Sequence, residues 1–193
     1  MIAIIKYNSG NINSVQNAIN KLGYNCMVTD CETEILKADK VIFPGVGEAS
    51  SAMLYLKKKG LDKTLLKVKQ PFMGICLGLQ LMCNYSEEGN TTCLGIFNTE
   101  VKKFPNIDIV PHMGWNILKG IKQNSLLQGI EKADDVYFVH SYYAEPCEET
   151  LAEGDYIIPF SAVLQKDNYY ACQFHPEKSS IVGEQILKNF LEL

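Results

Sequence analysis

The chain contains no arginine; its 18 basic side chains are all lysine. A carboxylate ligand must therefore be held without a bidentate guanidinium fork, by lysine, hydroxyl or backbone N–H groups. Long apolar runs are missing too, so no segment reads as a membrane span. The opening MIAIIKYNSG lacks the basic region and extended apolar core of a signal peptide and reads as a strand, so a cytoplasmic chain is expected. An excess of positive charge is absent: the net charge is −4 without long charge runs, which removes the basic surface that nucleic acid requires. The 7 cysteines, at positions 26, 31, 76, 83, 93, 147 and 172, include no C-x-x-C pair. Their odd number and apolar surroundings argue against a disulfide framework or zinc site. The 3 histidines, His112, His140 and His175, show no metal-ligand spacing, so neither a metal nor another cofactor is expected.

Linkers, repeats and low-complexity stretches are also missing. With 193 residues, 47% of them apolar, the expectation is one domain over 1–193 with a sizeable core. Apolar runs and helical periods alternate through the first half. Strands are predicted at 2–6, 25–28, 40–45 and 71–75. Helices are predicted at 11–23, 48–60, 61–69 and from just after Cys76 to about Tyr85. This rhythm predicts an α/β fold with an open, mostly parallel sheet and helices on both faces. The second half is richer in strands, at 99–104, 135–143, 160–166 and 169–174, and closes on a helix at 182–193.

The segment Gly74-Ile75-Cys76-Leu77-Gly78 falls where a strand gives way to a helix. Its spacing is that of G-x-S-x-G with cysteine in the serine place. In that motif the nucleophile sits on a strained strand-to-helix turn, and the glycines remove Cβ clashes. The helix field favours a thiolate, and the Leu77 N–H is free to stabilise an oxyanion. A lone cysteine in an apolar run is more often inert core. Catalysis needs a base and an orienting acid. His175 in QFHPEKS follows a strand, and Glu177 lies two residues on, within reach of the imidazole's second nitrogen. In VIFPGVGEA, a strand runs into Pro44-Gly45-Val46-Gly47 and then a helix. A phosphate loop is the weaker reading, because the third glycine and the following Gly-Lys are missing. A backbone N–H donor opposite Cys76 is the better one.

PGVG, GICLGLQ and QFHPEKS, in this order, resemble the triad-type, class I glutamine amidotransferases. The likeness runs over essentially the whole chain. YNSGNINSV, PHMGWN and YFVHSYY narrow the resemblance to separate glutaminase subunits of a two-chain synthase. The resemblance implies a flavodoxin-like sheet and hydrolysis of L-glutamine. Cys76 attacks the side-chain amide, His175 moves the proton and Glu177 orients His175. Oxyanion donors are the Leu77 N–H and a backbone N–H from Gly45, Val46 or Gly47. It further implies that Gln80, His140, Ser141 and Tyr142 line the substrate site, with Glu88 on the α-amino group, although chemistry alone does not separate Glu88 from Glu87. The implied partner is a (β/α)8-barrel cyclase in a heterodimer, met by Asn11, Ser14, Trp115, Tyr137 and Lys178. Many relatives carry other residues at Lys6, Asn8 and Ile157. Two other readings remain: a glutaminase feeding a sugar-aminating synthase for surface polysaccharide, and a stand-alone cysteine hydrolase of related fold.

Overall fold

A computed structural model describes residues 1–193. The first half runs β1 (Ile2–Ile5), α1 (Ile12–Lys21), β2 (Cys26–Thr29), α2 (Glu32–Lys37), β3 (Lys40–Phe43), α3 (Ala49–Lys59), α4 (Leu61–Leu65), β4 (Phe72–Ile75) and α5 (Leu77–Met82). The second half adds β5 (Tyr85–Ser86), β6 (Thr91–Thr92), β7 (Glu100–Lys103), β8 (His112–Ile117), β9 (Asp135–His140) and β10 (Tyr142–Ala144). It continues with β11 (Thr150–Asp155), β12 (Pro159–Lys166), β13 (Tyr169–Cys172) and α6 (Ser180–Glu192). The main sheet has the order β11-β12-β13-β4-β3-β1-β2. From β13 to β2 every pairing is parallel; β11 and β12 extend it antiparallel.

Strand alternation distributes the core over both faces. Ile4, Ile42, Met73 and Ile75 bury on one side with α1 and α6 residues such as Val15, Ile19 and Phe190. Ile5, Val41, Phe43 and Phe72 bury on the other with Met53 and Leu56 of α3 and Leu65 of α4. A four-stranded sheet, β10-β7-β5-β6, and a β8-β9 hairpin flank this layer. The mostly parallel sheet with helices on both faces is therefore as expected. No helix is long and apolar enough to cross a membrane.

Several boundaries differ from expectation. The predicted strand 135–143 is two strands in different sheets, broken at Ser141. Helix 61–69 stops at Leu65, the helix after Cys76 stops at Met82 rather than about Tyr85, and the strand before His175 ends at Cys172. Helix α2 and strands β5, β6, β8 and β11 were not anticipated. The chain leaves β1, β3, β4 and β13 at their carboxyl ends into loops 6–11, 44–48, Cys76 and 173–179. Open parallel sheets bind ligands at this edge.

Candidate active site

Cys76 stands between β4 and α5 with φ 53° and ψ −106°, a left-handed backbone that a side chain rarely adopts. The turn is held from both sides. The Cys76 N–H donates to the Cys172 carbonyl of β13 at 2.8 Å. A Cβ on Gly78 would lie 1.9 Å from the Phe43 carbonyl oxygen, so only glycine lets α5 approach β3 this closely. The elbow therefore rests on sheet geometry. The thiol is 6% exposed; Gln173 Nε2 donates to its sulfur at 3.6 Å.

His175 is buried, and its Nδ1 is 2.7 Å from Glu177 Oε1. This pairing leaves Nε2 for chemistry, and Nε2 is buried without a hydrogen-bond partner. Burial alone pushes the imidazole pKa down; its interactions with the Cys76 side chain and the Glu177 carboxylate outweigh it and bring it up to about 10. The backbone is fixed as well. The His175 N–H donates to Tyr137 O at 2.9 Å, and Ser179 Oγ donates to His175 O at 2.6 Å.

A cavity of about 300 Å³ opens beside the sulfur. Val46, Gly47, Leu77, Gln80, Glu88, His140, Ser141 and Tyr142 line it with Cys76, as do Pro111 and Val139. Its volume is at the small end for ligand pockets. Of the residues expected around substrate, only Gly45 is outside this lining. Glu88 is half-buried and its Oε2 accepts the Ala49 N–H at 2.8 Å; burial raises its pKa. Glu87 instead accepts the Lys103 N–H, on the exposed side. Geometry thus separates the two carboxylates where sequence did not. Gln80 Nε2 spans Tyr142 O at 2.8 Å and Gln173 Oε1 at 3.1 Å.

The oxyanion donors require a correction. The Leu77 N–H is not free: it donates to the Gly45 carbonyl at 3.3 Å. The Val46 N–H donates to Ser9 Oγ at 2.8 Å, and Ser9 Oγ also lies 2.8 Å from Val46 O. Gly45 thus presents an acceptor toward the site, and Ser9 latches the loop in that state. Asn11, expected at the partner, also has an inward contact. It begins α1 with φ 69°, yet its side chain makes no helix cap. Its Nδ2 donates instead to Glu177 Oε1, 3.4 Å from His175 Nδ1. It supports the His175–Glu177 pair from behind. Ser9, Asn11 in this role, His112 and Gln173 were not found from sequence. Only a local signal for Ser9 existed, its place in a polar loop after β1.

The other residues expected at a partner gather beyond Glu177. Ser14, Trp115, Glu177 and Lys178 line a second cavity of about 550 Å³. Trp115 meets Tyr137 edge-on, ring centres 5.8 Å apart. On β8, Met113, Trp115 and Ile117 are 63%, 50% and 39% exposed, so this strand turns its large apolar side chains outward.

A buried cysteine on a left-handed elbow and an imidazole tied to a carboxylate are the parts that nucleophilic thiol chemistry on an acyl group requires. The class-I glutamine amidotransferase family matches residues 3–193, and the chain belongs to that family. It is 57% identical, over its full length and 99% of the relative, to imidazole glycerol phosphate synthase subunit HisH of Bacteroides fragilis strain YCH46. It is 52% identical, with the same coverage, to the protein of that name from Bacteroides thetaiotaomicron. In fold it superposes on PurLQS from Thermotoga maritima with a TM-score of 0.76 at 12% identity, covering 99% of this chain and 97% of that one.

Proposed function

We propose that this chain is the glutaminase subunit of an imidazole glycerol phosphate synthase. It hydrolyses L-glutamine and passes ammonia to a cyclase in histidine biosynthesis. The observation that carries the reading is a left-handed elbow that sets Cys76 in the wall of a small cavity, with the buried His175–Glu177 pair following the neighbouring strand β13. The Cys76 thiolate attacks the side-chain amide carbon, and the carbonyl oxygen takes the negative charge. His175, protonated through neutral pH, gives its proton to the departing nitrogen, so ammonia leaves and a γ-glutamyl thioester remains. Water then attacks the thioester, His175 takes its proton, and glutamate and the thiolate are restored. With no arginine in the chain, the α-carboxylate meets backbone N–H and hydroxyl groups around Ser141 and Tyr142, and Glu88 accepts from the α-amino group.

Coupling to a partner follows from the latched loop. With Leu77 N–H on Gly45 O and Val46 N–H on Ser9 Oγ, the oxyanion has lost donors. One such donor is worth about 10²–10³ in rate. A turned peptide in loop 45–47 supplies it when the partner is loaded. Released ammonia would become ammonium and lose its nucleophilicity, so it has to be handed over directly. The recipient is a (β/α)8-barrel cyclase, which converts a phosphoribulosyl formimino intermediate to imidazole glycerol phosphate and an aminoimidazole carboxamide ribotide. It docks on the face of Ser14, Trp115, Tyr137 and Lys178, with Asn11 linking that face to Glu177. The whole chain, 1–193, serves as one cytoplasmic glutaminase domain.

The test is chemical. A glutamine-like affinity label should modify Cys76 and spare Cys83, and mass mapping to another cysteine overturns the assignment. His175→Asn should lose nearly all turnover, while Glu177→Gln keeps more, because orientation is degraded without deleting the base. The reverse order would show that the roles are misassigned.

A further inference from the structure

The motif PHMGWN carries a histidine to which the mechanism gives no part. His112 is 3% exposed and does not touch Cys76, His175 or Glu177 through any hydrogen bond. The β8–β9 register sets His112 directly opposite His140, so the two rings share a face of the hairpin. His112 Nδ1 lies 3.1 Å from His140 Nε2, and His140 Nδ1 lies 2.8 Å from Tyr142 O. The chain of contacts therefore starts in the interior and ends in the wall of the substrate cavity.

The chemistry of the last acceptor fixes the protons. A carbonyl oxygen only accepts, so His140 Nδ1 carries hydrogen. Burial pushes the His140 pKa down to about 3, so the ring is neutral and its Nε2 is an acceptor. His112 Nδ1 then has to be the donor to it. Burial likewise pushes His112 down to about 4. The surroundings are aromatic: Tyr156 and Phe138 stack on His112 at 4.1 and 4.9 Å, and Phe160 and Phe104 meet His140 at 5.0 and 5.3 Å. Only His175 among the histidines has a carboxylate partner.

The end of the chain matters for substrate. The Phe104 N–H donates to Ser141 O and the Glu145 N–H to Glu100 O, each at 3.0 Å. Alternate residues of an antiparallel strand face its neighbour, so the polar groups of Tyr142 turn the other way, toward the cavity. Its carbonyl is held by two donors, His140 Nδ1 and Gln80 Nε2. In an extended strand the N–H and carbonyl of one residue point to the same side, so the held carbonyl restrains the strand with the Tyr142 N–H on the side of the cavity that Tyr142 lines. We propose that His112 and His140 form a positioning relay, each protonated on Nδ1, that holds the strand backbone at Tyr142 so that its N–H receives the substrate's α-carboxylate. His112 is a positioning residue, acting through His140 without touching substrate. This rests on the glutaminase reading above and adds a specificity element to it.

Two measurements test it. Long-range proton–nitrogen NMR of the ¹⁵N-labelled full chain at neutral pH should show Nδ1–H, and not Nε2–H, on both rings. A Nε2–H or charged ring at either position overturns the relay. In the second, glutamine hydrolysis is followed in the assembled, nucleotide-loaded synthase. His112→Leu deletes the donor and should raise KM for glutamine about tenfold, far more than it lowers kcat. His112→Asn places an amide N–H near the lost Nδ1 and should recover most of the loss. An unchanged KM in His112→Leu, or a fall confined to kcat, refutes the proposal. Should His112→Leu fail to fold, the ring protonation in the unaltered chain still decides it. If the unaltered synthase hydrolyses no glutamine, the glutaminase reading fails, and the NMR result stands or falls separately.

Discussion

Replacing Ser9 with alanine should make the isolated chain a faster glutaminase. Ser9 Oγ donates to Val46 O and accepts the Val46 N–H, both at 2.8 Å. Each bond contributes about 0.5–1.5 kcal/mol net, and the loop is partly exposed, so water takes over some of the loss. Deleting the hydroxyl thus weakens the latch by about 1–2 kcal/mol, which shifts a two-state loop by roughly 5- to 30-fold. The Gly10 N–H to Val46 O contact at 3.4 Å and the Leu77 N–H to Gly45 O bond remain and keep the change from being larger. The assay is steady-state glutamine hydrolysis by the chain without its partner, with Ser9→Thr as the control that keeps a hydroxyl. A basal rate in Ser9→Ala equal to or below that of the unaltered chain, with Cys76 still open to a glutamine-like label, would refute the latch.

Gly78→Ala forces a Cβ to 1.9 Å from the Phe43 carbonyl oxygen, which is backbone and cannot turn aside. It should cost about 3 kcal/mol, or roughly 6–12 °C in melting temperature by calorimetry. A melt within about 2 °C of the original would show that α5 slides freely on β3. Because the folded His175 pKa is raised to about 10, its contribution to stability is complete below the unfolded value near 6.5 and lost as pH rises through about 10. The gap between the urea midpoints of the unaltered chain and His175→Asn should therefore narrow between those limits; a constant gap contradicts the charge assignment. Asn11→Leu removes one donor from Glu177 and should lower kcat about tenfold in the assembled synthase, with KM for glutamine retained. A loss of affinity for the partner with kcat intact would place Asn11 in docking alone.

The parallel layer was legible because its strands are buried on both faces and read as continuous apolar runs, such as Ile2–Ile5 and Phe72–Ile75. The elbow was legible because its two glycines mark a close approach that no other residue permits. Helix α2 escaped because six residues with only Ile35 buried make no repeating period. Strand β8 escaped for a different reason. Its inward positions are His112, Gly114 and Asn116, and its outward ones Met113, Trp115 and Ile117, the reverse of an ordinary half-buried strand. Strands β9 and β10 merged in the sequence because apolar character continues through Ser141, although the chain changes sheet there. The occupied donors at Leu77 and Val46 depend on which way individual peptide planes point, and a glycine-rich loop leaves that choice to tertiary contacts such as Ser9. The role of Asn11 joins positions 11 and 177, which only the assembled sheet edge brings together.

The central claim is a glutaminase held idle until its partner is loaded. Glutamine hydrolysis should be measured for the purified chain, for the chain with the cyclase, and for both with the cyclase's nucleotide ligand. The account predicts large stimulation only in the third case, lost entirely in Cys76→Ala and reduced in Lys178→Ala. Equal, rapid hydrolysis in all three would contradict it and mark the chain as a free-standing glutaminase.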